Sequence, residues 1–171
     1  DSAENSKQLF FLLNKPYYLT FLKFSGPVLS QEDLGQLLAH AWILEECPNQ
    51  DRNVSKRELL ALFHSVPPEL LMDEEEYAVY QSLEDSVTVY RGVTSYNAKN
   101  IKALSWTLDR DTAEWFAHRF GEEGTVYEAQ ISKEHILAFF NGRNESEVVV
   151  DPKYLEQIME SPKPEMEMQM T

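Results

Sequence analysis

Three short polar signatures in the second half of the chain carry the side chains best suited to chemistry. They are, in chain order, Tyr90-Arg91-Gly92, Ser105-Trp106-Thr107 and Glu145-Ser146-Glu147. They offer a guanidinium, which can hold phosphate oxygens bidentately, together with hydroxyl groups and two carboxylates. Each triplet alone is uninformative, because such triplets occur by chance. Their order, spacing and predicted strand positions together indicate a site, although Arg91 and Glu147 could instead form a structural ion pair between neighbouring strands.

The sequence lacks the motifs of several common sites. It has no G-x-x-x-x-G-K-[ST] loop, no G-x-G-x-x-G fingerprint and no G-x-S-x-G signature. Cys47 is the only cysteine, so we expect a packed thiol and neither an intramolecular disulfide nor a cysteine metal site. The histidines are widely separated, and the acidic run from Asp73 to Glu76 is expected to begin a solvated helix. No metal site is predicted.

Composition and charge limit the class of protein. The 171 residues suffice for one folded domain, and the net charge is -14 with a pI of about 4.6. Such a surface repels phosphate backbones and anionic lipid, so no nucleic-acid or membrane partner is expected. No apolar run approaches the roughly 20 residues of a membrane span. We expect a monomer that acts in a cytoplasm, either its own or that of a target cell into which it is delivered.

The first half of the chain, residues 1–85, is predicted to be helical. Leucines and alanines recur at spacings of three and four from Leu34 to Leu44, and Ser30 is placed to cap this helix. The helix is expected to end near Cys47-Pro48. A second helix is predicted over 56–64 with Ser55 as its cap, and a short acidic helix over 73–83 follows the break at 67–68.

From residue 86 the pattern changes to strands. Alternating β-branched and aromatic residues predict strands over 86–90, 103–107 and 125–131, with two more over 136–140 and 147–150. Asp109 is expected to cap a helix that runs through Phe120, with Ala113, Phe116 and Phe120 on its apolar face. The order of elements predicts an α+β fold. Residues 161–171 are predicted to be a flexible tail of the chain.

The three signatures in this order resemble the arginine–serine–glutamate class of ADP-ribosyltransferases, which includes clostridial actin-modifying toxins and cholera-toxin-like enzymes. That family has an aromatic-arginine pair on its first core strand, Ser-Thr-Ser on the second and Glu-x-Glu at the last functional strand. The resemblance covers about residues 86–152. It implies a mixed β core of two small packed sheets that binds NAD, over residues 86–160, and residues 1–85 would complete the same domain.

The resemblance also implies roles for individual residues. Arg91 would hold the diphosphate or the adjoining ribose of NAD, and the backbone of Gly92 would bind the nicotinamide carboxamide. Ser105 would organise the site through hydrogen bonds to the catalytic glutamate and the ribose. Glu147 would hold the ribose 2′-hydroxyl and stabilise the cation that develops as nicotinamide leaves, which requires a carboxylate. Glu145 would orient the incoming nucleophile.

The second signature departs from the family pattern, since it reads Ser-Trp-Thr. By the resemblance, Trp106 and Thr107 are also expected to bind NAD. Trp106 lies between two inward-facing strand positions, however, and could instead pack against the opposite face of the strand. Phe116 best fits the family's spacing for the aromatic that stacks on nicotinamide. Trp115 and Phe120 are rivals for that role, and each of the three could equally be a core residue.

The expected activity is the transfer of ADP-ribose from NAD to a protein side chain with release of nicotinamide. In the family a glutamate at position 145 goes with arginine as acceptor. Two alternatives stay open: an NAD glycohydrolase, in which water is the acceptor, and a non-catalytic binding module. Arg143, Phe139 and Phe140 flank the turn expected to recognise the acceptor, and they could equally pack and solvate a hairpin.

Overall fold

The computed structural model describes residues 2–45, 51–98 and 100–162. The prediction for Cys47 lies outside these residues, as does the predicted flexible tail from 163 onward. The helix that was expected to end near Cys47-Pro48 ends earlier, at Leu44, because Glu45 already has extended backbone. Of the residues predicted to form the tail, Ser161 and Pro162 are described. The guanidinium of Arg110 donates to the Ser161 hydroxyl and the Pro162 carbonyl oxygen, at 3.0 and 2.8 Å.

Helices make up the first half of the described chain, as predicted. They are α1 (Ser2–Leu12), α2 (Tyr18–Ser25), α3 (Gln31–Leu44), α4 (Lys56–His64) and α5 (Glu74–Ser82). The predicted caps are confirmed at Ser30 and Ser55, which accept backbone N–H groups of the first turn, and Asp73 caps α5 in the same way. The bounds predicted for α4 are confirmed without change. The helices α1 and α2 were not predicted.

The second half forms one antiparallel sheet around a sixth helix. The elements are β1 (Ser86–Val93), β2 (Ser105–Thr107), α6 (Arg110–His118), β3 (Thr125–Ser132), β4 (Ile136–Phe140), β5 (Glu147–Val150) and β6 (Glu156–Glu160). The strand order among the described residues is β4-β5-β2-β1-β3-β6. The α+β class is therefore confirmed, and β6 was not predicted.

The expectation of two separate small sheets is wrong in its hydrogen bonding. The strands β1 and β2 are paired at a single position, Tyr90 opposite Thr107, whereas β1 and β3 are paired over eight positions. That one pair joins a half made of β4, β5 and β2 to a half made of β1, β3 and β6. The two halves are joined by this single residue pair. The alternation of apolar and polar residues along one strand does not indicate which other strand it pairs with, so the link could not be predicted from it.

The helical half and the sheet share one main hydrophobic core. Its largest fully buried side chains include Trp42 and Phe63 from the helices and Trp106 from β2. Burial of apolar surface on this scale is the dominant stabilising contribution to such a fold. Residues 2–45 and 51–85 therefore belong to the same folded unit as the sheet. No helix in the described ranges has the length and apolar character that crossing a membrane requires.

Gly92 lets α6 pack directly on β1. A Cβ atom built at Gly92 would lie 2.0 Å from the Ala113 carbonyl oxygen and 2.6 Å from the Ala117 nitrogen, which are backbone atoms of the helix. Gly124 meets the same helix, with its Cβ position 2.2 Å from the Ala117 oxygen. The glycine of the first signature therefore has a packing reason in this fold, independent of any ligand.

We expect Gly92→Ala to destabilise the protein, because the added methyl group must displace α6 backbone. Overpacking of this kind costs about 1–3 kcal/mol or more, and Tm falls by about 2–4 °C per kcal/mol in a domain of this size. Gly142→Ala is the matched control, since its Cβ would meet nothing within 4 Å. Thermal melts of both variants measure the difference, and an equal Tm for the two would contradict the packing role of Gly92.

Candidate active site

One cavity of about 670 Å³ is bordered by every residue of the predicted site. The ends of β1 and β2, the outer turns of α6 and the start of β5 with the turn before it form its walls, and the end of α3 contributes Glu45. The predicted residues on this cavity are Arg91, Gly92, Ser105, Trp106, Thr107, Phe116, Glu145 and Glu147. The three signatures, which are spread over residues 90–147 of the chain, therefore meet at one place.

Glu147 is the first residue of β5 and is held by two donors. The Ser105 hydroxyl donates a short hydrogen bond to Oε2, and the indole Nε1 of Trp42 donates to Oε1 at 3.1 Å. The register explains the first contact, because Thr107 lies opposite Glu147 on the neighbouring strand and Ser105 is two residues away on the same face. Both carboxylate oxygens are thus fixed in place.

Burial raises the pKa of Glu147, since the side chain is only 8% exposed. The hydrogen bonds from Ser105 and Trp42 and the charge of Arg143 act in the opposite direction, because they favour the ionised form. The nearby carboxylate of Glu145 raises the pKa further. The result is a desolvated carboxylate whose charge is directed at the cavity, and a developing cation there would be stabilised strongly.

Arg91 is half-buried near this carboxylate and forms no salt bridge to it. Its Nη1 donates to the Ser105 carbonyl oxygen at 2.8 Å, and its Nε is buried with no hydrogen-bond partner. Burial lowers the pKa of Arg91 to about 10, whereas the charge of Glu147 raises it, so the guanidinium stays charged at neutral pH. None of the ion pairs within the described residues joins Arg91 to Glu147. The structure therefore does not contain the alternative arrangement, a direct structural ion pair between Arg91 and Glu147.

Glu145 precedes β5 and is anchored through its backbone. The Thr107 hydroxyl donates to the Glu145 carbonyl oxygen at 2.7 Å, and the Glu145 carboxylate pairs with Arg143 at 3.4 Å. Ser146 between the two glutamates has a φ of 46°, and its N–H donates to the Asn141 side chain at 3.0 Å. This turn presents both carboxylates to the same cavity.

Aromatic side chains form the outer rim of the cavity. Phe116 is half-buried, whereas Trp115, Phe120 and Tyr96 are 64%, 69% and 74% exposed. The Arg119 guanidinium lies over the Phe116 and Phe120 rings, at 5.2 and 4.8 Å from their centroids. All three candidates for a stacking aromatic therefore border the cavity. The predicted burial of Phe120 on the apolar face of the helix is wrong, since α6 ends at His118 and Phe120 has a φ of 67°.

Trp106 and the two phenylalanines expected beside the recognition turn have their side chains in the core. Trp106 is buried and donates its indole N–H to the Ala103 carbonyl oxygen at 2.9 Å, so it packs as the alternation suggested. Phe139 and Phe140, which were expected to flank a recognition turn, are buried in β4 within the main core. Of that group, only Arg143 borders the cavity, and its partner there is Glu145.

Several contributors to the site were not predicted from the sequence, among them Trp42, Glu45 and Arg119. Trp42 follows Leu38 by four residues on the apolar face of α3, so its spacing indicates a core residue only. Nothing local connects it with Glu147, which is 105 residues away. Glu45 and Arg119 lie where helices end, and sequence spacing carries no signal for side chains at such positions.

Among the described residues, no three histidine, cysteine, aspartate or glutamate side chains come together in an arrangement that could hold a metal ion.

Comparison of the chain with protein-family models, with curated proteins and with solved structures found no match in any of the three.

Proposed function

We propose that this protein is an NAD-dependent mono-ADP-ribosyltransferase that modifies a protein side chain, with arginine as the acceptor. The observation that carries the proposal is Glu147: a buried carboxylate, fixed by Ser105 and Trp42, on a cavity that also contains Arg91 and Glu145. A carboxylate in this setting suits a reaction whose transition state carries positive charge. The resemblance of the three signatures to the ADP-ribosyltransferase class points the same way.

The residues fit NAD as a substrate. The diphosphate needs cations, and Arg91 and Arg119 border the cavity, Arg91 with a buried Nε that has no partner. The nicotinamide ring needs a flat apolar wall, which Phe116 offers within the same cavity. A volume of about 670 Å³ is within the ordinary range for ligand pockets.

In the proposed reaction the bond between the ribose C1′ and the nicotinamide nitrogen breaks, and nicotinamide leaves with the electron pair. Glu147 stabilises the positive charge left on the ribose. A nitrogen of the acceptor guanidinium then forms a bond to C1′ and loses a proton to solvent water, and Glu145 holds that guanidinium in position. If water attacks instead, the same site acts as an NAD glycohydrolase.

The direct test is incubation of the protein with labelled NAD and cell lysate, with Glu147→Gln in parallel. We expect label on a discrete band that the variant does not produce. Free labelled ADP-ribose without a labelled protein would favour the glycohydrolase, and NAD binding without either product would favour a non-catalytic module. No binding and no turnover of NAD would overturn the proposal.

We expect Arg91→Lys to weaken NAD binding by about tenfold or more, because an ammonium cannot reproduce a bidentate fork. Calorimetry with NAD measures the change, and thermal melts show whether the fold is kept. Arg57→Lys on the exposed face of α4 is the matched control. Unchanged NAD affinity in a folded Arg91→Lys protein would mean that the residue serves the structure alone.

We expect Trp42→Phe to move the acidic limb of the pH–activity profile to higher pH. The indole N–H lowers the pKa of Glu147 by donating to its ionised form, so its removal raises that pKa. At a given acidic pH a smaller fraction of Glu147 is then ionised, and the loss of activity should shrink as the pH rises. Nicotinamide release measured across pH tests this, and a loss that is equal at every pH would contradict the positioning role of Trp42.

A further inference from the structure

The cavity contains a third acidic group that belongs to the helical half of the chain. Glu45, the residue that follows α3, borders the cavity and is 8% exposed. Its Oε2 is buried without a hydrogen-bond partner, and so is Oδ2 of Asp51, the acid that interacts with it. Two ionised carboxylates cannot donate to each other, so these two acids can hydrogen-bond only when one of them is protonated.

The three glutamates of the cavity differ in their partners. Glu147 receives the Ser105 and Trp42 donors, and Glu145 pairs with Arg143. The ion pairs of the described residues contain no cation bound to Glu45. Burial and the neighbouring Asp51 raise the pKa of Glu45 to about 8, so at neutral pH a proton occupies the place that a cation could take.

A guanidinium suits the carboxyl groups of Glu45 and Asp51 better than a proton does. It carries a permanent positive charge and five N–H donors in a planar fork, which can satisfy two carboxylates at once. The location also fits, because Glu45 follows Trp42 by three residues, or about 4.5 Å of rise along the helix. Glu45 and Trp42, the residue that holds Glu147, therefore lie at the same end of α3.

We propose that Glu45, with Asp51 as its neighbouring acid, forms the receptor for the cationic side chain of the acceptor, a guanidinium, at the wall of the cavity that Glu147 also borders. This inference rests on the proposed function and deepens it. Glu145 is partly neutralised by Arg143 and orients the attacking nitrogen, whereas the pair of Glu45 and Asp51 supplies the charge that selects a cationic acceptor. The helical half thus contributes to acceptor choice as well as to the core.

The test uses agmatine, a small guanidine, as acceptor and as ligand. Glu45→Gln keeps the shape of the side chain but cannot give up a proton to become a carboxylate when a cation binds, and we expect it to raise KM for agmatine by about tenfold or more with a smaller change in kcat. Glu45→Asp keeps a carboxylate and should recover part of the affinity. Glu32→Gln, an exposed residue in the first turn of α3, is the matched control and should behave as the parent.

Calorimetry with agmatine in the presence of NAD separates this inference from the proposed function. We expect the parent to bind agmatine and both Glu45→Gln and Asp51→Asn to bind it at least about tenfold more weakly. Absence of agmatine binding to the parent, or equal binding by the folded Glu45→Gln variant, would overturn the receptor. A parent that binds agmatine through Glu45 but releases no nicotinamide would overturn the proposed activity and leave the receptor standing.

Discussion

Replacement of Glu147 by glutamine is expected to lower the rate of nicotinamide release by about two to four orders of magnitude, the scale of losing a key electrostatic group. The carboxylate is buried, its two oxygens are fixed by Ser105 and Trp42, and its charge faces the cavity. Glutamine keeps the volume and can still accept the Trp42 hydrogen bond, so the change removes charge with little change of shape.

NAD affinity should be largely retained in Glu147→Gln, because the diphosphate is expected to bind at Arg91 and Arg119 on other elements. Nicotinamide release and NAD calorimetry on the same preparation measure the two quantities separately. Glu134→Gln, whose side chain is 77% exposed, is the matched control. Release within threefold of the parent would remove Glu147 from the catalytic role.

Replacement of Glu145 by glutamine is expected to lower arginine modification by about two orders of magnitude or more, while slow NAD hydrolysis stays detectable. Glu147 alone is expected to lie against the ribose on which positive charge develops. Glu145 is two residues earlier, tied to Thr107 through its backbone and to Arg143 through its carboxylate. It can therefore face an incoming guanidinium without holding the ribose.

The measurement compares label transfer onto agmatine with nicotinamide release in the absence of an acceptor. Equal loss of both activities in Glu145→Gln would mean that Glu145 helps to build the NAD site. Retained transfer would mean that another group positions the acceptor, and the pair of Glu45 and Asp51 would be the first to examine. Arg143→Lys is informative beside it, because it keeps the positive charge next to Glu145 but loses the guanidinium fork.

The local sequence determined the secondary structure of this protein to a large extent. Caps such as Ser55 and Asp73 act within one turn of their own helix, and alternation acts within one strand, so both can be interpreted without knowledge of the fold. The bounds of α4, β4 and β5 were predicted without error for this reason. The helices α1 and α2 and the strand β6 were not predicted, and the exposed pattern of β6 shows no clear alternation.

The order of chemical groups was also present in the sequence, since Arg91, Ser105 and Glu147 were singled out by type and spacing and do border one cavity. Only the tertiary structure decided what surrounds them. The Trp42 donor, the Glu45 and Asp51 pair and the joining of the two half-sheets through Tyr90 and Thr107 all depend on how separate elements pack. Contacts between distant segments follow from the packing of the whole core. The periodicity of residues within one helix or strand indicates which face is buried, but not which other element packs against that face.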